Sequence, residues 1–167
     1  MSGRALQQTD ELLALLHDAG VEFVVVGGVA AICHGSSTMT RDLDVAAPMT
    51  VENVERLMTA LRPHHPKHVT RPDLGVIDDP IEYLAGFRML LLDTDLGRLD
   101  VLKEVQPVGQ VEDLVTEEFE LLPGKVFRVI GLDQLIEIKA HVGRPKDRIV
   151  EMELRGLREQ RRIATES

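Results

Sequence analysis

The chain has 167 residues, 44% of them hydrophobic and 28% charged, which allows one cored domain but not two ordinary ones. Its formal net charge of −9 argues against a broad nucleic-acid-binding face, although a local basic groove remains compatible with this charge. Aromatic residues make up only 3% of the sequence, so stacking platforms for single-stranded bases are scarce. No apolar run approaches the roughly 20 residues that cross a bilayer. No secretory pattern begins the chain, which predicts a cytoplasmic protein with no membrane partner.

Helices and strands alternate in the first part of the chain. Thr9 can cap a helix that has leucines on its apolar face and ends at Gly20. The hydrophobic pattern then predicts a buried strand over residues 21–26, a short helix over 29–34, and a strand over 42–47. An outer helix is predicted over residues 51–61, with Thr50 as its N-cap. This order places a glycine turn between a buried strand and a strand that carries carboxylates.

The second part of the chain predicts a hairpin followed by further strands and helices. Residues 62–80 have no stable period and predict an irregular connection, with a short strand around 68–70. Residues 87–92 and 98–103 flank a turn-rich spacer and predict a hairpin. Residues 112–122 fit a helix or a strand, 126–130 predict a strand, and 132–141 predict a helix. Gly143 and Pro145 end that helix, and residues 146–162 form a last helix with a strongly charged face.

Three aspartates and two glycines are the main candidates for a functional site. Asp42 and Asp44 point to the same face of an extended segment, where a hard divalent cation could neutralise them. Gly27 and Gly28 end a hydrophobic run and let the backbone approach a phosphate closely. Taken alone, the two glycines are typical of an ordinary turn between a strand and a helix, and the two aspartates are typical of a solvated edge strand. Taken together, the glycines and the aspartates favour a site for nucleotide chemistry. Asp100 would be costly to bury unless it is paired or bound to metal.

The remaining charged and titratable residues leave alternatives open. Lys139, Arg144 and Lys146 could bind a triphosphate or form an ordinary charge pattern on a helix. His34 favours a structural role beside the glycine turn over a role as a base. The histidines between residues 64 and 68 lack the aligned ligands of a zinc site, because prolines interrupt them. The arginines between residues 155 and 162 predict a solvated helix face, with an acidic partner or RNA as the alternative.

The ordered motifs resemble those of the nucleotidyltransferase superfamily, which has the fold of DNA polymerase beta. The motifs that carry this resemblance are Gly27-Gly28, His34-Gly35, Thr40-Arg41-Asp42-Leu43-Asp44-Val45 and Leu99-Asp100-Val101. A second block, at residues 131–136 and 139–147, is similar to the small prokaryotic branch that includes AbiEii-type toxins of toxin–antitoxin systems. The resemblance implies an α/β (α+β) fold, with a short mixed sheet, flanking helices and C-terminal helices. It implies one domain over residues 1–167, with a catalytic core over about 1–110 and a C-terminal strand and helices over about 111–167.

The resemblance also implies site roles and an activity. The enzyme would transfer a nucleoside monophosphate from ATP, GTP or another NTP to an acceptor. Asp42 and Asp44 would hold Mg²⁺, and Asp100, the third catalytic carboxylate, would reach a second Mg²⁺ or accept the proton of the acceptor. The residues implied to contact the nucleotide are Gly27, Gly28, Ser36, Ser37, Lys139 and Lys146. Many relatives have Gly-Ser where this chain has Gly27-Gly28, so backbone amides or the nearby serines would replace the missing hydroxyl.

Three functional hypotheses follow from these residues and this resemblance. The first is a Mg²⁺-dependent nucleotidyltransferase, in its toxin version acting on a tRNA or a protein and controlled by an antitoxin partner. The second is a nucleotide-binding regulatory or protein-interaction module with little turnover, for which the missing serine argues. The third is a transferase that modifies a small antibiotic, because an acidic pocket suits a cationic acceptor.

Overall fold

The computed structural model describes residues 8–166. Within these residues, seven strands form one mixed sheet in the order β3-β4-β5-β2-β1-β9-β8, and β6 and β7 form a separate pair. Within the sheet, β2 runs parallel to β5 and β1 runs parallel to β9, while the other neighbours are antiparallel. The strands are β1 (Val24–Val26), β2 (Asp42–Ala46), β3 (Lys67–His68), β4 (Met89–Thr94), β5 (Gly97–Leu102), β6 (Glu104–Val105), β7 (Gly109–Gln110), β8 (Thr116–Leu122) and β9 (Lys125–Ile130).

Six α-helices accompany the sheet in the described residues. They are α1 (Thr9–Asp18), α2 (Gly27–Cys33), α3 (Val51–Leu61), α4 (Ile81–Ala85), α5 (Leu132–Val142) and α6 (Pro145–Glu166). Short 3-10 turns occur at Arg62–His64, Pro72–Leu74 and Val111–Asp113. Within the described residues, none of the helices has the length and apolar character that crossing a membrane requires.

The alternation of side chains along β2 and β5 separates the core from the site. Leu43 and Leu99 are fully buried on one face of the sheet. On that face, Leu16 of α1 and Leu57 of α3 pack close to Val45 of β2. Burying a large aliphatic side chain of this kind stabilises the fold by about 1.5–3 kcal/mol. The apolar residues of both strands therefore lock the register that brings the intervening aspartates to the opposite face.

The structure confirms the predicted fold class and most of the predicted elements. Helix α3 has the predicted bounds, and Thr50 caps it by accepting a hydrogen bond of 3.1 Å from the Asn53 N–H. The predicted hairpin is β4 and β5, and Gly143 ends α5 in the left-handed conformation, with φ of 66°. The mixed sheet with its flanking helices and two C-terminal helices is the predicted α/β architecture.

Several predicted boundaries were wrong. The first strand begins at Val24 rather than at residue 21, and α2 begins at Gly27 rather than at residue 29. Thr9 is the first residue of α1, and Gln8 occupies the N-cap without a side-chain cap bond. The ambiguous segment 112–122 is a 3-10 turn followed by β8, because pairing with β9 favours the extended form. The sequence interpretation also missed the five-residue α4, which follows Pro80 and is shorter than a periodic pattern can reveal.

Candidate active site

Three carboxylates meet on one face of the sheet at β2 and β5. Asp44 of β2 lies directly beside Asp100 of β5 in the parallel register, and Asp42 lies two residues before Asp44 on the same face. Neighbouring strands are about 4.8 Å apart, so these side chains come close together. The structure thus brings together the three residues that the sequence proposed as catalytic and metal-binding.

Asp44 is the member of this group whose pKa is clearly raised. Burial, followed by the nearby negative charges of Asp100 and Asp42, raises the pKa of its carboxyl from 3.8 to about 6. The positive charges of Lys139 and Arg98 oppose this shift. Within residues 8–166, the structure gives the Asp44 carboxylate no hydrogen-bond donor. A cation placed at this carboxylate would therefore stabilise its charged form.

Asp100 is held by a neighbour on its own strand. The Arg98 Nε donates to Asp100 Oδ1 at 2.9 Å, and a second guanidinium nitrogen lies 3.4 Å from Oδ2. Arg98 also lies opposite Asp42 in the register of β2 and β5, and its pKa is raised mainly by the hydrogen bond to Asp100. Arg98 had no role predicted from the sequence. The available signal was its spacing of two residues from Asp100 in a strand, which places both side chains on one face.

The two glycines leave room for the carboxylate and for a polar loop. Gly27 has φ of 70°, and a Cβ atom at this position would overlap the Asp44 carboxylate. At Gly28, a Cβ would lie 2.8 Å from both Cβ and Oγ1 of Thr40. The first glycine thus accommodates Asp44, and the second brings the start of α2 against the loop before β2.

A cavity of about 270 Å³ opens beside the carboxylates. Asp42 and Asp44 form its acidic wall, and Lys139, Arg144 and Lys146 form its basic wall. The remaining lining residues are Gly28, Thr38, Met39, Thr40, Asp147 and Val150. Acidic and basic walls facing one cavity are suited to a ligand that combines a metal ion with phosphates.

The basic wall is organised by Asp147, a buried carboxylate with 3% exposure. Arg144 Nε donates to Asp147 Oδ2 at 2.7 Å, and Lys139 Nζ lies 3.5 Å from Oδ1. Burial alone would raise the pKa of Asp147, but the two cations outweigh burial and lower it. Asp147 had no role predicted from the sequence. The signal was a spacing of three residues between Arg144 and Asp147 at the start of a helix.

Ser36 and Ser37 contact a carboxylate of α6. Their hydroxyls donate to the Glu153 carboxylate at 2.5 Å and 2.7 Å, and the Ser37 N–H donates to it at 3.0 Å. The cavity lining described above does not include either serine. The predicted contact of these serines with a nucleotide stays a prediction, and the observed bonds attach the loop after α2 to α6.

His34 occupies a structural position beneath this loop. Its ring is buried, with Nε2 2.7 Å from the Ile130 carbonyl oxygen and Nδ1 2.9 Å from a guanidinium nitrogen of Arg161. Because Arg161 can only donate, Nδ1 accepts and Nε2 carries the proton that is donated to Ile130. These bonds join α2, β9 and α6 and agree with the structural role expected from the sequence.

Asp42 and Asp44 fit an open Mg²⁺ site, completed by waters and phosphates, better than a site made entirely of protein ligands. Within residues 8–166, no group of three or more His, Cys, Asp or Glu side chains is arranged to hold a metal ion. Mg²⁺ is commonly bound by one or two carboxylates together with waters and substrate phosphates, rather than by a complete protein cage. Asp42 and Asp44 fit this second type, because they supply hard oxygen ligands beside a cavity that also has cations for phosphates.

Comparisons with known proteins identify a fold. No protein-family model matches the chain, and no curated protein matches it. Among solved structures, the chain is similar to the antibiotic-resistance factor ANT(2'')-Ia, with 15% identity and a TM-score of 0.53. This similarity covers 95% of this chain and 93% of that chain. The narrower resemblance to AbiEii-type toxins stays a prediction. Together with the mixed sheet and the C-terminal helices, the similarity shows that the chain has a nucleotidyltransferase-like fold.

Proposed function

We propose that the protein is a Mg²⁺-dependent nucleotidyltransferase that moves a nucleoside monophosphate from an NTP to a hydroxyl or phosphate of an acceptor. The observation that carries this proposal is the cavity lined both by the carboxylates of β2 and by the cations Lys139, Arg144 and Lys146. In this reaction the acceptor oxygen bonds to the α-phosphorus, the bond to the β-phosphate oxygen breaks, and pyrophosphate leaves. The site must therefore balance metal binding, phosphate binding and proton removal.

The carboxylates would hold the metal that accompanies the nucleotide. Asp42 and Asp44 would bind one or two Mg²⁺ ions, and the elevated pKa of Asp44 gives a physical reason for this binding. Bound Mg²⁺ neutralises charge on the phosphates and orients the attacking and leaving oxygens. Asp100 would contribute the third carboxylate, in a position fixed by Arg98. Its side chain would bind a second ion or accept the proton of the acceptor hydroxyl.

The cations of the basic wall would hold the triphosphate. Lys139 is the best placed of them, because its side chain is only 16% exposed and its charge acts on both Asp44 and Asp147. Arg144 is 72% exposed and is held at one end by Asp147. A planar guanidinium bound in this way keeps further donors for phosphate oxygens. Lys146 would add a third positive charge at the cavity wall.

Labelled nucleotides test the proposed reaction directly. Purified protein is incubated with each of the four NTPs labelled at the α-phosphate, Mg²⁺ and a cell extract, and the labelled acceptor is isolated. In parallel, NTP with Mg²⁺ should raise the melting temperature, since a ligand that binds only the folded state stabilises it. In a second incubation, NTP labelled at the γ-phosphate should release its label in pyrophosphate and leave the acceptor unlabelled. Phosphoryl transfer would instead label the acceptor, so this incubation distinguishes the two reactions.

The alternatives give different results in the same experiment. A binding module would show the melting-temperature increase with no labelled product, and we would then abandon the enzyme proposal. Absence of any stabilisation by all four NTPs at millimolar concentration would count against both nucleotide hypotheses. A labelled RNA or protein band that disappears when an antitoxin candidate is added would support the toxin version.

Transfer to a small antibiotic is the second candidate function. It is favoured by the similarity to ANT(2'')-Ia, which is described as an antibiotic-resistance factor. It is also consistent with the acidic wall, which would attract a cationic acceptor. Replacing the extract by a panel of cationic antibiotics tests this candidate. Labelled antibiotic without labelled macromolecule would favour it over the toxin version.

A further inference from the structure

Helix α6 has an outward face that differs from its packed face. Its packed face contains the buried Val150 and Leu154. On the outward face, Ile149 is 71% exposed, Met152 is 73% exposed and Ile163 is 52% exposed. Large apolar side chains exposed to this extent on one element need an explanation, because a solvated helix face is normally polar.

The spacing of these residues is that of a helix-binding stripe. Positions 149, 152, 156 and 163 are separated by three, four and seven residues, which is the heptad spacing of a seam that contacts another helix. Gly156 lies within the stripe, and a Cβ at this position would meet no atom within 4 Å. The stripe therefore has a notch at its centre. It extends over about 21 Å of helix at 1.5 Å per residue.

A row of arginines runs beside the stripe. Arg148, Arg155 and Arg162 are spaced by seven residues, and all three are exposed. Their partners lie within or just before α6: the Gly143 carbonyl for the first, Glu151 for the second, and both Glu159 and Glu166 for the third. Such exposed pairs contribute only about 0–1 kcal/mol, so a partner could exchange them at low cost. Residues 144–166 contain seven Lys or Arg and five Asp or Glu, although the whole chain has a net charge of −9.

We propose that the outward face of α6 binds a partner helix that has an apolar seam flanked by acidic residues. The seam would pack on Ile149, Met152 and Ile163, with a larger side chain entering the notch at Gly156. Acidic residues spaced by seven would face the arginine row. Charge complementarity between the two rows selects this partner and fixes its register.

The pattern favours such a helix over two other occupants. A membrane surface needs a broad apolar face, whereas this stripe contains three large apolar side chains and is interrupted by Gly156 and Glu159. A second copy in the antiparallel orientation would place two arginine rows against each other. In the parallel orientation, Arg148 would face Glu153 of the copy, but Glu153 already accepts hydrogen bonds from Ser36 and Ser37.

Two synthetic helical peptides test the proposal without nucleotide. The acidic peptide has 21 residues in three heptads, with Leu and Ile at the seam positions and Glu at the flanking positions. The control peptide has Lys in place of every flanking Glu. Fluorescence anisotropy with the complete chain should show at least tenfold tighter binding of the acidic peptide. Equal binding of the two peptides, or no binding of either, would overturn the proposal.

Variants of the stripe and of the arginine row locate the binding. Met152→Asp should weaken binding of the acidic peptide at least tenfold, whereas Leu74→Asp, at a position that is 59% exposed in a 3-10 turn, should leave it unchanged. Combined Arg148→Gln, Arg155→Gln and Arg162→Gln should abolish the preference for the acidic peptide while the melting temperature stays near that of the wild type. An equal loss in the Leu74 variant would contradict the assignment to α6.

The same variants also test whether a second copy of the chain or a membrane surface occupies this face of α6. Self-association in sedimentation equilibrium that Met152→Asp removes would show that a second copy is the occupant and would overturn the acidic-helix proposal. Capture by vesicles of phosphatidylglycerol with phosphatidylcholine, lost in the same variant, would overturn it in favour of a membrane surface. Because none of these measurements uses NTP, their failure is distinguishable from failure of the proposed enzymatic function.

Discussion

Replacement of Asp44 by Asn should stabilise the nucleotide-free protein at pH 8 and abolish nucleotide transfer. Asp44 is partly buried beside two other carboxylates, and its pKa is raised from 3.8 to about 6. A difference of about 2 pKa units corresponds to about 3 kcal/mol in the free energy of unfolding. Solvent screening of this partly accessible group reduces the expected gain to about 1–3 kcal/mol. Asn keeps the volume of Asp44 while removing the charge.

The sign of the pH dependence follows from the raised pKa of the folded protein. The stability that protonated Asp44 provides is fully present below pH 3.8, the pKa of the unfolded chain, and is lost as the pH rises through about 6. The Asn variant has no such loss. The difference in stability between variant and wild type should therefore be near zero below pH 4 and should reach its full value above about pH 7.

Urea unfolding in EDTA at several pH values between 4 and 8 measures this difference. Asp10→Asn in the first turn of α1, outside the carboxylate group, controls for a general effect of removing one negative charge. A variant that is less stable than the wild type at pH 8, or a stability difference that does not change with pH, would refute the electrostatic reasoning. Addition of Mg²⁺ and NTP should then stabilise the wild type more than the variant.

Three further predictions concern the glycine turn, the third carboxylate and the basic wall. Gly27→Ala should destabilise the fold by about 1–3 kcal/mol and eliminate the melting-temperature increase with NTP, because the new Cβ overlaps a carboxylate of the site. Gly20→Ala, also at positive φ but with no atom within 4 Å of the Cβ, should leave the response to NTP unchanged. Asp100→Asn should lower kcat more than it weakens NTP binding, as measured in steady-state kinetics and by titration calorimetry. Lys139→Ala should weaken NTP binding about tenfold in the same titration, as expected for loss of about 1.4 kcal/mol of charge-assisted bonding.

Each of these predictions has a contrary outcome. If the alanine variants at Gly27 and Gly20 respond alike to NTP, the glycine turn has no special relation to the site. Full transfer by Asp100→Asn would show that the third carboxylate is misassigned. A Lys139→Ala variant that binds NTP normally would return this lysine to the ordinary helix charge pattern. Lys125→Ala, on β9 and outside the cavity lining, provides the matched comparison.

Local sequence patterns predicted most of the helices and strands, and they identified Asp42 and Asp44 as candidate site residues. The cap at Thr50 and the alternation in β2 depend on neighbours within a few residues, so the sequence reveals them directly. The position of Asp44 beside Asp100 depends on the pairing of two strands 56 residues apart, which periodicity cannot reveal. The resemblance to a known family supplied that association at the sequence level.

Interactions between distant segments account for what the sequence analysis missed. Glu153 accepts hydrogen bonds from Ser36 and Ser37 across more than 110 residues, so it could not be connected with their loop from spacing alone. The role of Arg98 was within reach, because its spacing from Asp100 is local. Asp147 was visible as part of a charged segment, but its burial depends on how α6 packs.

The two walls of the cavity are synthesised at different times. The carboxylates of β2 and β5 lie at or before residue 100, whereas Lys139 and the charged start of α6 follow about 40 residues later. At 5–20 residues per second, a ribosome needs roughly 2–8 s to add these residues. During this interval the growing chain carries the acidic wall without its basic counterpart. If the cavity binds a nucleotide as proposed, electrostatics in this interval would favour a divalent cation and disfavour a free triphosphate, so the order of synthesis would delay nucleotide binding until the C-terminal helices have folded.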